Sequence, residues 1–243
     1  MGRDTEAVPT PPWHKTKPAT RPRRHLDQDQ IVAATLKVLD AEGLDAVSMR
    51  RVAAELDTGP ASLYAHVANK NELLDLVYDR VLVDIEVPEP DPARWADQFK
   101  DVVRACWRAT AAHNDIAAAA LANIPVGPNS LRIAEGMLAI LVRGGGLAPR
   151  DASWAIDRIA LYIAADAYEG SLHLAKQRAS GKSVQEYTDE FVGQLRDYYA
   201  SLPEDRFPLT VGSVGQMTAG SSDERFEYGL DLLVDGLAAR SDP

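Results

Sequence analysis

The sequence predicts an all-α fold: a three-helix helix-turn-helix head at the N-terminus followed by a larger helical C-terminal domain. Three observations predict it. From Asp27 onward apolar residues recur at spacings of three and four, and no stretch alternates in the manner of a strand. Within Ser48 to Lys70 two periodic segments flank Asp57-Thr58-Gly59, a tight turn. After them, Val87 to Pro92 sets three prolines in five residues, which no helix interior tolerates, and so divides the chain. The predicted units are an arm at 1–23, a head at 24–86 and a second domain at 87–243.

Residues 1–23 hold Pro9, Pro11, Pro12, Pro18 and Pro22 without an apolar period, the composition of a disordered arm. Its basic segment from Lys15 to Arg24 has two readings: a solubilising tail, or cations that lie along a nucleic-acid backbone or enter a minor groove. The first helix opens at Asp27, with Gln30 placed to complete a capping box, and ends at Gly43. Val32, Leu36 and Leu39 form its inner face, with Ile31 and Val38 beside it. Ser48 caps the next helix, where Met49, Val52, Ala53 and Leu56 share a face. Asp57 and Gly59 tolerate the positive φ that such a turn needs. Pro60 suits the first helical position that follows, because its missing N–H costs nothing there. Leu63 and Val67 then point inward and Ala61, Ser62, Tyr64 and His66 outward. A helix-turn-helix of this kind lays its second helix in the DNA major groove.

Asn69 and Glu72 repeat the capping pattern for a fourth helix, whose Leu73, Leu76, Val77 and Val81 face the head and the second domain. Beyond the proline break, Trp95, Phe99, Val102, Val103 and Trp107 line one face of a helix running to about Ala112. A short alanine-rich helix spans 115–122 and is stopped at 124–128. Leu131, Met137, Leu138 and Leu141 line the next, which ends at Gly144-Gly145-Gly146. Pro149 opens the longest apolar helix, to about Gln177. Another helix covers 184–202, a Gly/Ser/Pro-rich loop 203–222, and Phe226, Leu230, Leu233, Val234 and Leu237 mark the last.

A net charge of -10 suits a DNA partner only when it is divided along the chain. Residues 1–25 carry six basic side chains against two acidic, residues 26–80 five against ten, and the remainder holds the rest of the negative charge. A head that is itself acidic needs its few cations at the phosphates, or needs the arm. No stretch approaches the roughly 18–20 apolar residues that span a bilayer, and no charged-then-apolar signal segment opens the chain, so a cytoplasmic protein without membrane contact is expected. The single cysteine, Cys106, excludes an internal disulfide and a multi-cysteine zinc site, and its apolar context reads as a buried small hydrophobe.

At Leu63-Tyr64-Ala65-His66-Val67 and Asn69-Lys70-Asn71-Glu72-Leu73-Leu74, the sequence resembles the TetR family of one-component transcriptional regulators, the match running from about Asp27 to Val81. The segment from Phe226 to Leu237 is similar to the last helix of the tetracycline-repressor-like regulatory domain. The resemblance implies a homodimeric, ligand-responsive regulator, a repressor, which binds a palindromic operator in double-stranded DNA and is released by a small-molecule effector. It implies a C-terminal ligand-binding and dimerisation domain, paired with its twin through the long eighth helix and the C-terminal helix. Carried over residue by residue, Arg50 reaches a guanine edge, Pro60, Ala61 and Tyr64 contact bases or thymine methyls, and Ser48, Ser62, His66 and Lys70 hold phosphates. Arg51 is expected to face solvent, although the sequence does not decide between adjacent arginines. The namesake's tetracycline-plus-magnesium site is not carried over, since its histidine ligand falls at no histidine here.

For a mostly apolar effector the expected pocket is walled by Trp107, Asn123, Met137, Leu141, Ser153 and Asp157, apolar and aromatic side chains with a few polar groups among them. Tyr162, Asp166, Glu169 and His173 form a polar stripe on the long helix, but no tight metal motif accompanies them, and a solvated face accounts for the stripe. No Gly-x-Ser-x-Gly elbow or Gly-rich phosphate loop occurs, so neither an enzyme nor a cofactor is expected. The rival reading is a small-molecule-binding or enzymatic protein whose head no longer binds DNA.

Overall fold

The computed structural model describes residues 26–122 and 126–241. The expectations about the arm at 1–23 and about Asn123 lie outside them. Among the described residues the fold is all-α and without strands. In the head, α1 (Gln28–Glu42), α2 (Met49–Glu55), α3 (Pro60–Leu63) and α4 (Lys70–Val81) follow in order, with a 3-10 turn at Leu44–Ala46. The expected caps form. Asp27 and Gln30 close a capping box on α1, Ser48 accepts from the Arg51 N–H, and Asn69 accepts from the Glu72 N–H. Glu72, however, reaches back to the Ala68 N–H.

Ile31, Val38, Leu39, Val52, Leu63, Val67, Leu73 and Val77 bury the predicted inner faces, while Leu36 and Leu76 are only partly covered. The boundary expected at residue 87 does not separate the cores. Ile116 and Ala119 come from the second domain, on α6 (Ile116–Ala122), and are buried in the head cluster.

The second domain also contains α5 (Trp95–Ala111), α7 (Pro128–Ala139), α8 (Pro149–Ser180), α9 (Val184–Ala200) and α12 (Ser222–Ala238). Between α9 and α12, where a loop was expected, two short helices occur, α10 (Pro208–Gly212) and α11 (Val214–Met217). Each is about a single turn, too short to show a period in the sequence. Val214 and Thr218 are nevertheless buried, and Arg196 of α9 donates to the Thr218 hydroxyl at 3.3 Å. The end of α7 passes into a π-helical turn at Ile140–Gly144.

The core here is built from Phe99 and Val103 of α5, Ile133 and Met137 of α7, Ile140 and Leu141 of the π turn, Ile159 and Ile163 of α8, and Phe226, Leu230 and Val234 of α12. On α8 the buried stripe Ala152, Ala155, Ile159, Ile163, Ala167, Ser171 repeats every three or four residues. Arg104 clamps Glu227 with both carboxylate oxygens at 2.8 and 3.0 Å from Nε, and Lys100 meets Asp231 at 2.7 Å, so α5 and α12 are joined by charge beside their apolar contact. The Arg104 guanidinium holds the Glu227 carboxyl below the usual carboxylate range. Burial pushes the Cys106 thiol up to about 12, which keeps it protonated as a small hydrophobe.

Candidate nucleic-acid interface and effector region

The turn between α2 and α3 has the required positive φ, but Asp57 supplies it, at 52°, while Gly59 takes an ordinary extended conformation at -86°. Only four residues of α3 are α-helical, and helical turns continue to His66. Leu63 and Val67 anchor this segment in the head core. Pro60, Ala61, Ser62 and Tyr64 are exposed, and Tyr64 keeps 55% of its surface open, an aromatic ring the head does not need for its own packing. Thr58, which sequence reasoning passed over, donates to the Ser62 hydroxyl at 3.1 Å and thereby ties the turn to the first turn of α3. His66 is half-buried, and its carbonyl accepts from Gln28.

The structure separates the two adjacent arginines. Arg51 is held against α1, with Nε and Nη2 on Glu42 at 2.9 and 2.6 Å and Nη1 on Glu55 at 3.0 Å. Both carboxylates raise its pKa, and Glu55 is in turn held below its ordinary value by Lys37 and Arg51. A guanidinium used in this way joins α1 to α2. Arg50, one position earlier and about 100° around the helix, is exposed and has no hydrogen-bond or ion-pair partner among the described residues. Ser48 spends its acceptor on the helix cap and retains its O–H for another partner. Lys70 is half-buried and donates to the Leu44 carbonyl at 3.3 Å. Its ammonium therefore spends one of three donors inside the head.

The pocket candidates divide into two groups. Met137 and Leu141 are buried in the second core, and Trp107 packs on it, stacked on Phe226 at 4.3 Å between ring centroids. Tyr162 also stacks on Phe226, at 5.1 Å, and donates to its carbonyl, leaving no room for a side chain at Gly229. Ser153 and Asp157 do not share this site. They stand on the exposed side of α8, where Ser153 bonds the Pro149 carbonyl and Asp157 pairs with Arg158. The reason is the register of the long helix, whose inward stripe of small and branched residues rotates both polar side chains away.

The polar stripe on α8 is likewise dispersed. Asp166 accepts from the Trp107 indole at 2.7 Å, and burial raises its pKa, whereas His173 packs edge-on against Phe191 of α9 at 5.0 Å. No group of three metal-ligating side chains forms among the described residues. A cleft of about 240 Å³ lies between α8 and α12, lined by Trp154, Ala155, Ile159, Leu233 and Leu237 with Asp151, Arg158 and Arg240 at its polar edge. Trp154, Leu161, Tyr228 and Leu232 leave the same two helices with large exposed apolar groups. No helix among the described residues is long and apolar enough to cross a membrane.

Known proteins share this fold. Residues 31–77 match the model of bacterial regulatory proteins of the tetR family, and residues 87–241 match the tetracyclin repressor-like C-terminal domain. The HTH-type transcriptional repressor DrrR1 of Streptomyces coeruleorubidus is 33% identical over 226 residues, covering 91% of this chain and 80% of its own. Apo ActR from Streptomyces coelicolor superposes with a TM-score of 0.76 at 45% identity, covering 88% of this chain and 95% of that one. The complex of ActR with actinorhodin gives a TM-score of 0.79 at the same 45% identity, covering 89% and 97%.

Proposed function

The chain belongs to the TetR family of bacterial regulatory proteins, and from that premise we propose a repressor that binds a palindromic operator as a dimer and leaves it when a small molecule binds the second domain. The observation that carries this reading is the contrast between Arg50 and Arg51: the head consumes one arginine internally and leaves the other exposed and without a hydrogen-bond or ion-pair partner among the described residues, as it leaves Tyr64 exposed. A head that had lost its DNA would have no use for that arrangement, which disfavours the rival reading. In this reading Arg50, Pro60, Ala61 and Tyr64 read bases, and Ser48, Ser62, His66 and Lys70 hold phosphates. The site of action is the cytoplasm, where the operator is.

The dimer forms through α8 and α12, whose exposed Trp154, Leu161, Tyr228 and Leu232 and the cleft between them become core when a second copy covers them. The effector is mostly apolar and aromatic, and it binds where Trp107, Met137 and Leu141 meet. Supporting this are the stacked rings of Trp107, Phe226 and Tyr162, the deformable Met137, and the π turn at Ile140–Gly144, a departure from α geometry frequent at functional sites. The relative ActR, crystallised with actinorhodin, supplies a first compound to try.

Selection of duplexes from a random-sequence pool by the full chain, followed by fluorescence anisotropy, tests the reading. Alanine at Arg50 or Tyr64 is expected to cost about 1–3 kcal/mol of specific binding and to relax preference at one or two base pairs. Alanine at Arg51 should instead lower the stability of the head and leave the selected sequence unchanged. Lys70→Ala should weaken all duplexes alike and reduce the salt slope by about 1. Arg50 and Tyr64 variants that bind like the parent would remove the groove assignment. Actinorhodin added to the bound complex asks whether an aromatic compound releases it.

A further inference from the structure

The fourth helix and the seventh cap each other's ends. Asp79, on the last turns of α4, is buried, and its carboxylate accepts four hydrogen bonds from the start of α7. Ser130 N–H and hydroxyl reach Oδ1 at 2.9 and 3.1 Å, and Asn129 N–H and side-chain amide reach Oδ2 at 3.3 and 2.9 Å. In return Arg132, less than one turn further along α7, donates to carbonyls at and just beyond the end of α4: Ile85 at 2.7 Å, Leu82 and Val83 at 3.4 Å. A carboxylate thus sits at the positive end of one helix and a guanidinium at the negative end of the other. Glycine permits the approach, since a Cβ on Gly127 would stand 2.2 Å from the Asp79 carboxylate. Lower on α7, a Cβ on Gly136 would stand 2.3 Å from the Val87 side chain, so the chain leaving α4 is seated against the same helix.

We propose that Asp79 and Arg132 are the positioning residues that couple the two halves of the protein, making α4 and α7 move as one body so that a displacement of α7 is delivered to the head. The inference rests on the reading of the protein as an effector-released repressor. Asp79 lies outside the segment at 60–66 and outside the core around Met137; it acts through α7. The buried carboxylate has two donors on each oxygen, so it cannot change partner without stranding buried polar groups, and the exposed Arg132 spends three of its five N–H donors on the carbonyls at the end of α4. Such an element has two arrangements, made or broken, and not a continuum. The other route between the halves joins Ile116 and Ala119 in the head core with hydrogen bonds from His113 and Asn114 to Asp40 and from Leu44 to Asp115, and it is the alternative carrier that the test has to separate.

Coupling is reciprocal, so it can be read from the DNA side without any small molecule. The probe is a duplex selected by the parent from the random pool, and the measurement is hydrogen–deuterium exchange on the full-length dimer with and without it. In the parent, DNA should slow exchange in the head and also at 128–139, the latter by about fivefold or more, the lower end of usual coupling between sites. In Asp79→Asn, which keeps the size but replaces one accepting oxygen with an NH2 group that faces two other donors, and in Arg132→Gln, the slowing in the head should remain while that at 128–139 disappears. Should Asp79→Asn fail to give a helical circular dichroism spectrum, Arg132→Gln and Ser130→Ala, which spare the carboxylate, carry the test. Retention of the slowing at 128–139 in these variants would assign the coupling to α6 and overturn the proposal, as would a parent in which DNA slows exchange only in the head. A parent that selects no duplex overturns the repressor reading first and the clasp's role with it.

Discussion

Replacing Ile116 with alanine will destabilise the DNA-binding head, although Ile116 belongs to the second domain. The side chain is fully buried among head residues, and removing three carbons from such a site costs about 2–5 kcal/mol, through lost transfer energy and the cavity left behind. That is a large part of the ~5–15 kcal/mol that holds an ordinary domain together. The loss should appear as a lower urea midpoint in the unfolding of the full chain, and amide exchange should accelerate in α1, α2 and α4 rather than around Phe226. The neighbouring polar contacts identify the same seam. Asp40 at the end of α1 meets the His113 ring at 3.0 Å and the Asn114 N–H at 3.3 Å, and Asp115, at φ 54°, accepts from the Leu44 N–H. If Ile116→Ala leaves exchange in the head untouched and loosens only 95–241, α6 does not belong to the head core.

The second large effect concerns the linkage between ligand and DNA. A compound that takes the dimer from 99% bound-competent to 99% released has to prefer the released form by about 10⁴-fold, or about 5.5 kcal/mol. Operator DNA must weaken the binding of that compound by the same factor. Titrating whichever compound releases the complex against free protein and against protein saturated with duplex measures both sides. Equal affinities would rule out induction and leave regulation by abundance alone. A dimer offers two recognition helices to half-sites about one helical turn, ~34 Å, apart, so a shift of a few ångströms between the heads suffices to spoil the match.

Much of the head was legible because its signals are local. A cap, a turn and an inward pair at spacing four all lie within a few residues, and Ser48, Pro60, Leu63 and Val67 take the places their chemistry requires. The turn was half legible: Asp57 and Gly59 both tolerate positive φ, and nothing local says which will use it. The single-turn helices at 208–217 escaped because a period needs more than one turn to show itself.

What the sequence by itself determined was the all-α class, the longer helices and the helix-turn-helix. Those follow from hydrogen bonds and side-chain spacing within one segment. What only the tertiary structure decided was partnership. Arg50 and Arg51 differ by the carboxylates of Glu42 and Glu55, one on another helix and the other four residues along its own. Ser153 and Asp157 lost their place in the pocket through the rotation of a 32-residue helix about its buried stripe. Asp79 became the cap of α7 across 50 residues of chain. Each depends on which surfaces meet, and burial is shared between segments, so a residue's own neighbourhood in sequence does not contain the answer.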